Sequence, residues 1–396
     1  MTRATHPVRA ASSQNHGFRL TEVPARVLVI VTRRIGDVLL TAPLIRSIKD
    51  AWPSAHIDLL VFKGTEGVLA GNPDIDRIIV APPSGNWRFI QQLWRKYDLA
   101  LSTSPSDRPT LYAWLTGKTR IGVMTDDLKS AWKRALLNAS VPFDNLELHT
   151  VVQNLQLADL LGLPRRFETP IEWSGQHEAA IAGVFPEFGR TKFAVLHLYP
   201  KFTYKMWHLE QWRALARWLN ARGLSVVLTG SGDKEEINYV SRFAETVSPS
   251  PVNLAGQLDF SQLALLLNRA ALYVGPDTVT THLAAAMGAP TVALFGPSNP
   301  VKWGPWPRGY KADVSPYTLR GNQFAGNVAL VQGAGACVPC LQEGCARHAM
   351  SESVCLQMLP AAAVIEAVEK LLIDLSLIHI SELDQPSPSP SGRGLG

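Results

Sequence analysis

The chain has 396 residues, 46% of them hydrophobic and 18% charged, and a formal net charge of +5 at pH 7. This length exceeds one ordinary hydrophobic core, so we expect two domains. The composition is typical of a globular protein, and no apolar run approaches the roughly 18 residues that a membrane span needs. Because residues 1–20 contain no apolar h-region, the sequence predicts a cytoplasmic protein without a secretory signal.

The positive charge is concentrated in the first half of the chain. Residues 1–175 contain 21 Lys and Arg against 16 Asp and Glu, whereas residues 176–396 contain 17 of each. A basic half suits an anionic partner such as a phosphorylated glycolipid or a membrane surface, although a mildly basic solvated surface is an equally good interpretation. The excess is small and unclustered, which argues against nucleic-acid binding.

Short apolar runs alternate with amphipathic stretches in both halves. The first half has strands predicted at 27–32, 56–62, 75–80, 99–102 and 120–123, and the second half at 193–198, 225–229, 272–274 and 291–295. Between the first two runs of the second half, helical spacing places Trp212, Leu215, Ala216 and Leu219 on one buried face. This pattern predicts two parallel sheets flanked by helices, which bind ligands at the carboxyl ends of their strands.

The predicted domain organisation follows from this alternation. We expect an N-terminal extension at 1–25, a first Rossmann-like domain at 26–175, a second at 176–375, and a disordered tail at 376–396. The linker is expected within the Pro-, Gly- and charge-rich segment 163–190, and the last helix from Pro360 to about Asp374.

Two polar motifs follow the first strands of the two halves. In the first, Arg34-Ile-Gly36-Asp37-Val-Leu-Leu, the glycine permits close backbone approach and Asp37 points a carboxylate from a helix start; alternatively, Asp37 only caps that helix. In the second, Lys205-Met-Trp207, the lysine is suited to neutralise phosphate oxygens, unless it is a solvated loop lysine.

A third motif runs from Asp277 to His282, between two buried strands. A helix that begins there presents unpaired backbone N–H groups and about half a positive charge, so the motif predicts a seat for a phosphate-bearing ligand. The alternatives are that Asp277 or Thr278 is only a helix cap, and that His282 is a buried helix histidine whose hydrogen bonds are satisfied.

Together and in this order, the three motifs resemble glycosyltransferase family 9, the heptosyltransferases of the lipopolysaccharide inner core. The resemblance covers roughly residues 26–370 and includes the Gly-Pro-Ser-Asn-Pro that begins at Gly296. It implies an α/β GT-B architecture, in which two Rossmann-like domains with parallel sheets face each other across a cleft. It also implies that the N-terminal domain receives the acceptor and the C-terminal domain the donor.

The resemblance implies an inverting transferase that needs no metal for catalysis. Heptose would move from ADP-heptose to a lipopolysaccharide core or lipid A acceptor, at the inner face of the cytoplasmic membrane. In this comparison Asp37 matches the general base, and Lys205 matches the residue that stabilises the leaving ADP. Its implied donor-binding residues are Asp233, Asp277, Thr278, Val279, Thr280 and His282.

These donor-binding residues have separate implied roles. Asp277 would orient the sugar hydroxyls, the backbone N–H groups of residues 278–280 would hold phosphate, and Asp233 would contact the ribose unless it serves only the helix dipole. Many relatives have glycine directly after the Asp-Thr pair, where this chain has Val279. A β-branched side chain there narrows the approach of a pyrophosphate.

All four cysteines lie close together in sequence, at Cys337, Cys340, Cys345 and Cys355. In a cytoplasmic protein, this clustering indicates a structural zinc site or a set of reduced thiols rather than disulfides.

Two other functions remain open. One is a nucleotide-sugar epimerase of GT-B type, which needs no lipid acceptor. The other is a nucleotide-binding protein without transferase activity, for which Val279 is the only hint. Neither half has the Gly-x-Gly-x-x-Gly turn of a nicotinamide dehydrogenase.

Overall fold

A computed structural model describes residues 18–84 and 86–383 of the chain. It divides into two compact units, Met1–Pro170 (unit 1) and Ile171–Gly396 (unit 2). This division lies five residues before the boundary predicted between residues 175 and 176.

Unit 1 is built on a parallel sheet. Its strands are β1 (Arg26–Val31), β2 (His56–Phe62), β3 (Arg77–Ala81), β4 (Tyr97–Ser102), β5 (Gly117–Met124) and β6 (Ala139–Pro142). They lie in the order β3-β2-β1-β4-β5-β6, and every neighbouring pair is parallel. The central strands are almost wholly apolar and buried, because helices cover both faces of the sheet.

The helices of unit 1 are α1 (Ile35–Leu39), α2 (Ala42–Ala51), α3 (Trp87–Leu93), α4 (Asp107–Thr116), α5 (Ala131–Leu136) and α6 (Thr150–Leu160). The connections from β1 to β3 run along the sheet in one direction, and those from β3 to β6 run in the other. Right-handed crossovers therefore place α3, α4 and α5 on the same face. In agreement, α3 packs against α4, α4 packs against α5, and α2 packs against α6.

Unit 2 repeats this architecture. Its strands are β7 (Phe193–His197), β8 (Ser225–Thr229), β9 (Val252–Asn253), β10 (Leu272–Pro276), β11 (Thr291–Phe295), β12 (Gln323–Ala325) and β13 (Val328–Gln332). Its helices are α7 (Gly175–Val184), α8 (Leu209–Ala221), α9 (Lys234–Ala244), α10 (Phe260–Arg269), α11 (Val279–Met287), α12 (Pro300–Trp303), α13 (Val354–Gln357) and α14 (Ala361–Leu383).

The strand order in unit 2 is β12-β13-β11-β10-β7-β8-β9. The strands are parallel except β12, which pairs antiparallel with β13 at one edge. The core contains the predicted face of α8, because Trp212, Leu215, Ala216 and Leu219 are all buried. The predicted α/β fold with two Rossmann-like sheets is thus confirmed.

Each sheet has a point at which the strand order reverses. In unit 1 it lies between β1 and β4, and in unit 2 between β7 and β10. At such a point the connections leave to opposite faces, which opens a crevice at the carboxyl ends of the two strands. Residues that follow these four strands are therefore the first candidates for ligand contacts.

The last helix differs from the prediction. Helix α14 continues to Leu383, so residues 376–383 are helical and the tail predicted from residue 376 is wrong over this stretch. The physical reason is that Leu375-Ser-Leu-Ile-His-Ile-Ser-Glu-Leu383 contains no helix breaker, and the first proline is Pro386. The rest of that tail and residues 1–17 of the predicted extension lie outside the described residues. Within the described part of the chain, none of the helices combines the length and apolar character that crossing a membrane requires.

Candidate active site

The two central strands of unit 2 end in a buried ion pair. Lys205 lies in a short 3-10 turn, Thr203–Lys205, after β7, and Asp277 follows β10 directly. The Lys205 Nζ atom lies 2.5 Å from Asp277 Oδ2 and 3.0 Å from the backbone oxygen of Asp277. Both side chains are largely buried. A fixed positive charge therefore lies at the point where the strand order reverses.

The protonation state of Asp277 is determined by this partner. Burial alone would raise the pKa of Asp277, but the Lys205 ammonium outweighs it and lowers that pKa below its usual value. A hydrogen bond from Ser298 acts in the same direction. The carboxylate is therefore charged at neutral pH and holds Lys205 in place.

His282 lies one turn into α11 on the same side of the site. Its Nε2 atom is 3.8 Å from Asp277 Oδ1, and burial lowers the pKa of His282 to about 4. The imidazole is therefore neutral at physiological pH. Its buried Nδ1 atom has no hydrogen-bond partner among the described residues. The alternative interpretation of a fully satisfied helix histidine is therefore wrong.

The amino end of α11 lies beside this group. Thr278 is the residue before the helix, and its side chain makes no capping hydrogen bond. Val279 and Thr280 are the first helical residues, so their backbone N–H groups have no acceptor within the helix. The positive amino end of α11 and the Lys205 ammonium thus lie close together in unit 2. This arrangement is suited to binding an anion.

A tyrosine in β10 fixes the turn into α11. The Tyr273 hydroxyl lies 2.8 Å from Thr281 Oγ1, which donates to the backbone oxygen of Pro276 at 2.5 Å. Gly275 makes room for that phenol, because a Cβ atom at this position would lie 2.1 Å from Tyr273 Oη. Burial raises the pKa of Tyr273, so the hydroxyl remains protonated and available for hydrogen bonding.

Residues 349–359 fix the loop that contains Lys205 through hydrogen bonds. The Ser353 hydroxyl donates to the backbone oxygen of Tyr204 at 2.7 Å, and the Trp207 indole donates to that of Leu359 at 2.8 Å. Trp207 is almost fully buried and packs edge-on against Trp212 of α8. The position of Lys205 is therefore fixed by its contacts, and the alternative that it is a solvated loop lysine is wrong.

Asp37 occupies the equivalent position in unit 1, after β1. It lies in the first turn of α1, and its Oδ1 atom is 3.5 Å from Arg33 Nε. The capping position belongs to Arg34, so the alternative that Asp37 only caps the helix is wrong. Arg33 also reaches Ser104 Oγ, at 3.5 Å, which follows β4. These side chains thus lie where the strand order of unit 1 reverses.

Asp233 has a structural role at the start of α9, which was the alternative to a ribose contact. It caps α9, and its Oδ1 atom accepts hydrogen bonds from the backbone N–H groups of Glu235, at 2.9 Å, and Glu236, at 3.3 Å. Glu236 itself is buried near His197, and its Oε1 atom has no hydrogen-bond partner among the described residues. Glu236 was not among the residues predicted from the sequence, although its place after the Gly-Ser-Gly turn that follows β8 was a usable signal.

The four cysteines are free thiols in the loop that precedes α13 and in α13 itself. Burial raises the pKa of Cys355 to about 11. Among the described residues, no set of three or more His, Cys, Asp and Glu side chains is placed to hold a metal ion. The structural zinc expected from the sequence at Cys337, Cys340, Cys345 and Cys355 is therefore not supported.

The structure thus brings several of the predicted donor-binding residues together in unit 2. Lys205, Asp277, His282 and the amino end of α11 lie together, while Asp233 follows the neighbouring strand β8. Asp37 belongs to unit 1. Two Rossmann-type units with parallel sheets, one of which carries positively charged groups and the other a carboxylate at the point where the strand order reverses, are typical of proteins of the GT-B class.

Comparison with known proteins narrows this class. The family model described as "Glycosyltransferase family 9 (heptosyltransferase)" matches residues 86–318, more than half of the chain. The chain belongs to this family. Among curated proteins, it is 29% identical to lipopolysaccharide heptosyltransferase 3 from Escherichia coli, over 68% of this chain and 83% of that protein.

Solved structures share the fold. The E. coli ADP-heptose lipopolysaccharide heptosyltransferase II superposes with a TM-score of 0.69 at 19% identity, covering 89% of this chain and 99% of that one. E. coli heptosyltransferase WaaC with ADP-2-deoxy-2-fluoro heptose gives a TM-score of 0.63 at 20% identity, covering 87% and 99%.

Proposed function

We propose that this protein transfers heptose from ADP-heptose to the inner core of lipopolysaccharide, with inversion at the anomeric carbon and without a metal. The observation that carries the proposal is the Lys205–Asp277 ion pair beside the amino end of α11. Family membership supplies the chemical context, since the curated relative acts on lipopolysaccharide and the structural neighbours are named for ADP-heptose.

Unit 2 supplies the donor site in this proposal. The leaving group is ADP, whose diphosphate gains negative charge as the bond to the anomeric carbon breaks. The Lys205 ammonium and the amino end of α11 are already placed to stabilise that charge, so little reorganisation is needed during the reaction. Because these groups supply the positive charge, the reaction needs no metal ion.

The remaining donor residues have more local tasks. Asp277 orients sugar hydroxyls while it holds Lys205, and the neutral His282 ring beside Asp277 is a further donor-binding residue. Backbone N–H groups of Thr278, Val279 and Thr280 bind phosphate oxygens. Asp233 contributes by fixing the start of α9, and we retain a ribose contact for it as a prediction.

Unit 1 supplies the acceptor side. Asp37 accepts the proton of the acceptor hydroxyl as that oxygen attacks the anomeric carbon from the face opposite ADP. One bond forms and one breaks, the proton goes to the Asp37 carboxylate, and ADP leaves. We therefore assign residues 26–175 to the acceptor and residues 176–375 to the donor, with the enzyme at the inner face of the cytoplasmic membrane.

The test is transfer from ADP-heptose to heptose-deficient core lipid, with ADP release and acceptor mass followed together. We expect product from the parent protein, with the rate unchanged by EDTA. Asp37→Asn should lower kcat by about 10²-fold or more, whereas Asp50→Asn, which changes a surface carboxylate paired with Arg166, should not.

A lysine pair gives a second comparison. Lys205→Met should lower kcat by about 10²-fold or more, while Lys201→Met, an exposed lysine of the same loop, should leave it unchanged. A change of sugar configuration without acceptor would point to an epimerase instead. Binding of ADP without transfer to any acceptor would point to a binding protein.

A further inference from the structure

Unit 1 exposes an unusual group of large apolar side chains on neighbouring elements. We call this group the tryptophan face. Its members and exposed fractions are Trp87 (68%), Trp94 (48%), Leu111 (38%), Leu128 (92%) and Trp132 (46%). Single exposed apolar residues are ordinary, but several large ones on helices that pack against one another indicate an interaction surface.

The residues share one side of the unit because their helices do. Helices α3, α4 and α5 cover the same face of the sheet, and each packs against the next. Trp87 and Trp94 are seven residues apart, two turns of helix, so they lie on the same side of α3 and its end. Leu128 and Trp132 lie just before and within α5, with Leu111 of α4 between the two groups.

The charge around this face is positive. Residues 86–97 contain Arg88, Arg95 and Lys96 and no acidic residue. Arg88 and Lys129 are exposed, and neither forms an ion pair with any residue that the structure describes.

Two of the three nearby acidic side chains form ion pairs, and the third, Asp127, accepts hydrogen bonds from Ser130. Asp107 lies 3.0 Å from Lys133 Nζ and Asp126 lies 2.7 Å from an Arg134 nitrogen. These pairs neutralise Asp107 and Asp126. The exposed carboxylate of Asp127 remains, but Arg88, Arg95, Lys96 and Lys129 outnumber it, so the net charge of the face is positive.

We propose that the tryptophan face docks unit 1 on an anionic lipid bilayer surface. Tryptophan is favoured at the boundary between headgroups and acyl chains, and Lys and Arg beside it bind anionic lipids. The combination of exposed indoles with unpaired basic residues fits that surface better than a neutral protein partner. This inference rests on the proposed function, whose acceptor is a lipid.

The face also lies beside the proposed acceptor region of unit 1. Trp87 begins the helix that follows β3, and Leu128 and Trp132 follow β5. In a parallel sheet these positions lie at the carboxyl edge, where Asp37 follows β1. Docking through this face therefore brings that edge to the membrane that holds the acceptor.

The first test is cosedimentation of the full-length protein with vesicles. The parent should bind vesicles of phosphatidylethanolamine and phosphatidylglycerol, and bind phosphatidylcholine vesicles at least tenfold more weakly. Trp87→Glu/Trp132→Glu and Arg88→Glu/Lys129→Glu should each weaken binding to the anionic vesicles about tenfold or more. The control Val314→Glu/Leu319→Glu changes exposed apolar residues of unit 2 and should bind like the parent. Absence of binding by the parent, or equal losses in the control, overturns the proposal.

The second test separates docking from chemistry. Each docking variant should lose activity on acceptor embedded in anionic vesicles but retain it on a delipidated, water-soluble core acceptor. If the parent transfers to neither acceptor, the proposed function fails, while the vesicle result still decides the docking inference. Trp87→Ala/Trp132→Ala provides a milder variant, and its loss of quenching by brominated lipids reports directly on insertion of these indoles. Unchanged quenching in that variant contradicts the proposal.

Discussion

Lys205 and Asp277 are 72 residues apart in sequence, yet Nζ of the first lies 2.5 Å from Oδ2 of the second. They meet because β7 and β10 are neighbours at the point where the strand order reverses. Lys205 also bonds the backbone oxygen of Asp277, at 3.0 Å, so the ammonium has two fixed acceptors before any ligand arrives. We expect the pair to contribute both to stability and to the proposed catalysis, and the two contributions can be measured separately.

Lys205→Met should be costly for stability as well as for activity. Removing the ammonium leaves Asp277 buried without its partner, which we expect to lower the free energy of unfolding by about 3 kcal/mol. The double variant Lys205→Met/Asp277→Asn removes both charges and should recover most of that loss, but it should remain as inactive as the single variant. Urea unfolding and kcat of the parent and both variants measure the two effects. Recovery of activity in the double variant would show that Lys205 acts only through stability.

His282 should make the protein sensitive to acid. Its pKa is lowered by burial to about 4 in the folded state, against a usual value of 6.5. Between these values the unfolded chain binds a proton that the folded protein does not, so stability falls as the pH drops from about 6.5 to about 4. The loss should reach about 3 kcal/mol at the lower end. Above pH 6.5 both states are neutral at this residue and it contributes no pH dependence.

Unfolding by urea at pH 7.5, 6, 5 and 4.5 measures this effect. His282→Asn should reduce the slope between pH 6.5 and 4.5 but not abolish it, because burial also lowers the pKa of His197, whereas His348→Asn, which changes an exposed histidine, should leave the slope as in the parent. An identical slope in the parent and His282→Asn would rule out this residue as the source.

The fold could be predicted from the sequence, but the first and last residues of its helices and strands were predicted less accurately. Short apolar runs that alternate with amphipathic stretches predicted the parallel sheets. Strands of such sheets are apolar along their length because helices cover both faces. The strand order was not predicted, since it depends on crossovers that local patterns do not encode. The end of α14 was predicted too early, because the Pro-rich composition from Pro386 onward was extended to residues 376–383. Those residues favour a helix and contain no proline.

The site was readable only in part. Motifs and family resemblance named Asp37, Lys205 and Asp277, but nothing local showed that Lys205 and Asp277 are an ion pair, which is a consequence of strand order. Glu236 was overlooked because acidic residues are common in the first turn of a helix. Its burial depends on the tertiary packing around the end of β8.

Gly275→Ala should damage the donor site. The added Cβ atom would lie 2.1 Å from the hydroxyl oxygen of Tyr273, so the phenol must move and its bond to Thr281 must break. We expect a loss of stability of about 1–3 kcal/mol and weaker binding of ADP, because the turn into α11 is no longer fixed. Thermal unfolding and calorimetric titration with ADP measure these effects.

A second glycine serves as the matched control. Gly183 lies within α7, and a Cβ atom there meets nothing within 4 Å. Gly183→Ala should therefore be neutral or stabilise the protein by up to about 1 kcal/mol, with unchanged ADP binding. If Gly275→Ala behaved in the same way, the Tyr273–Thr281 bond would have no role in shaping the site.

Ser353→Ala should lower kcat although the residue is not expected to touch substrate. Its hydroxyl donates to the backbone oxygen of Tyr204, the residue before Lys205, so its loss leaves a buried carbonyl oxygen unpaired and loosens the loop. We expect kcat for heptose transfer to fall about fivefold with little change in KM for the acceptor, because the acceptor is assigned to unit 1. Ser353→Thr keeps the hydroxyl and should restore kcat, whereas Ser376→Ala, at an exposed position in α14, should have no effect. A fall in acceptor KM without a change in kcat, or failure of the threonine variant to recover the rate, would argue that Ser353 does not position Lys205.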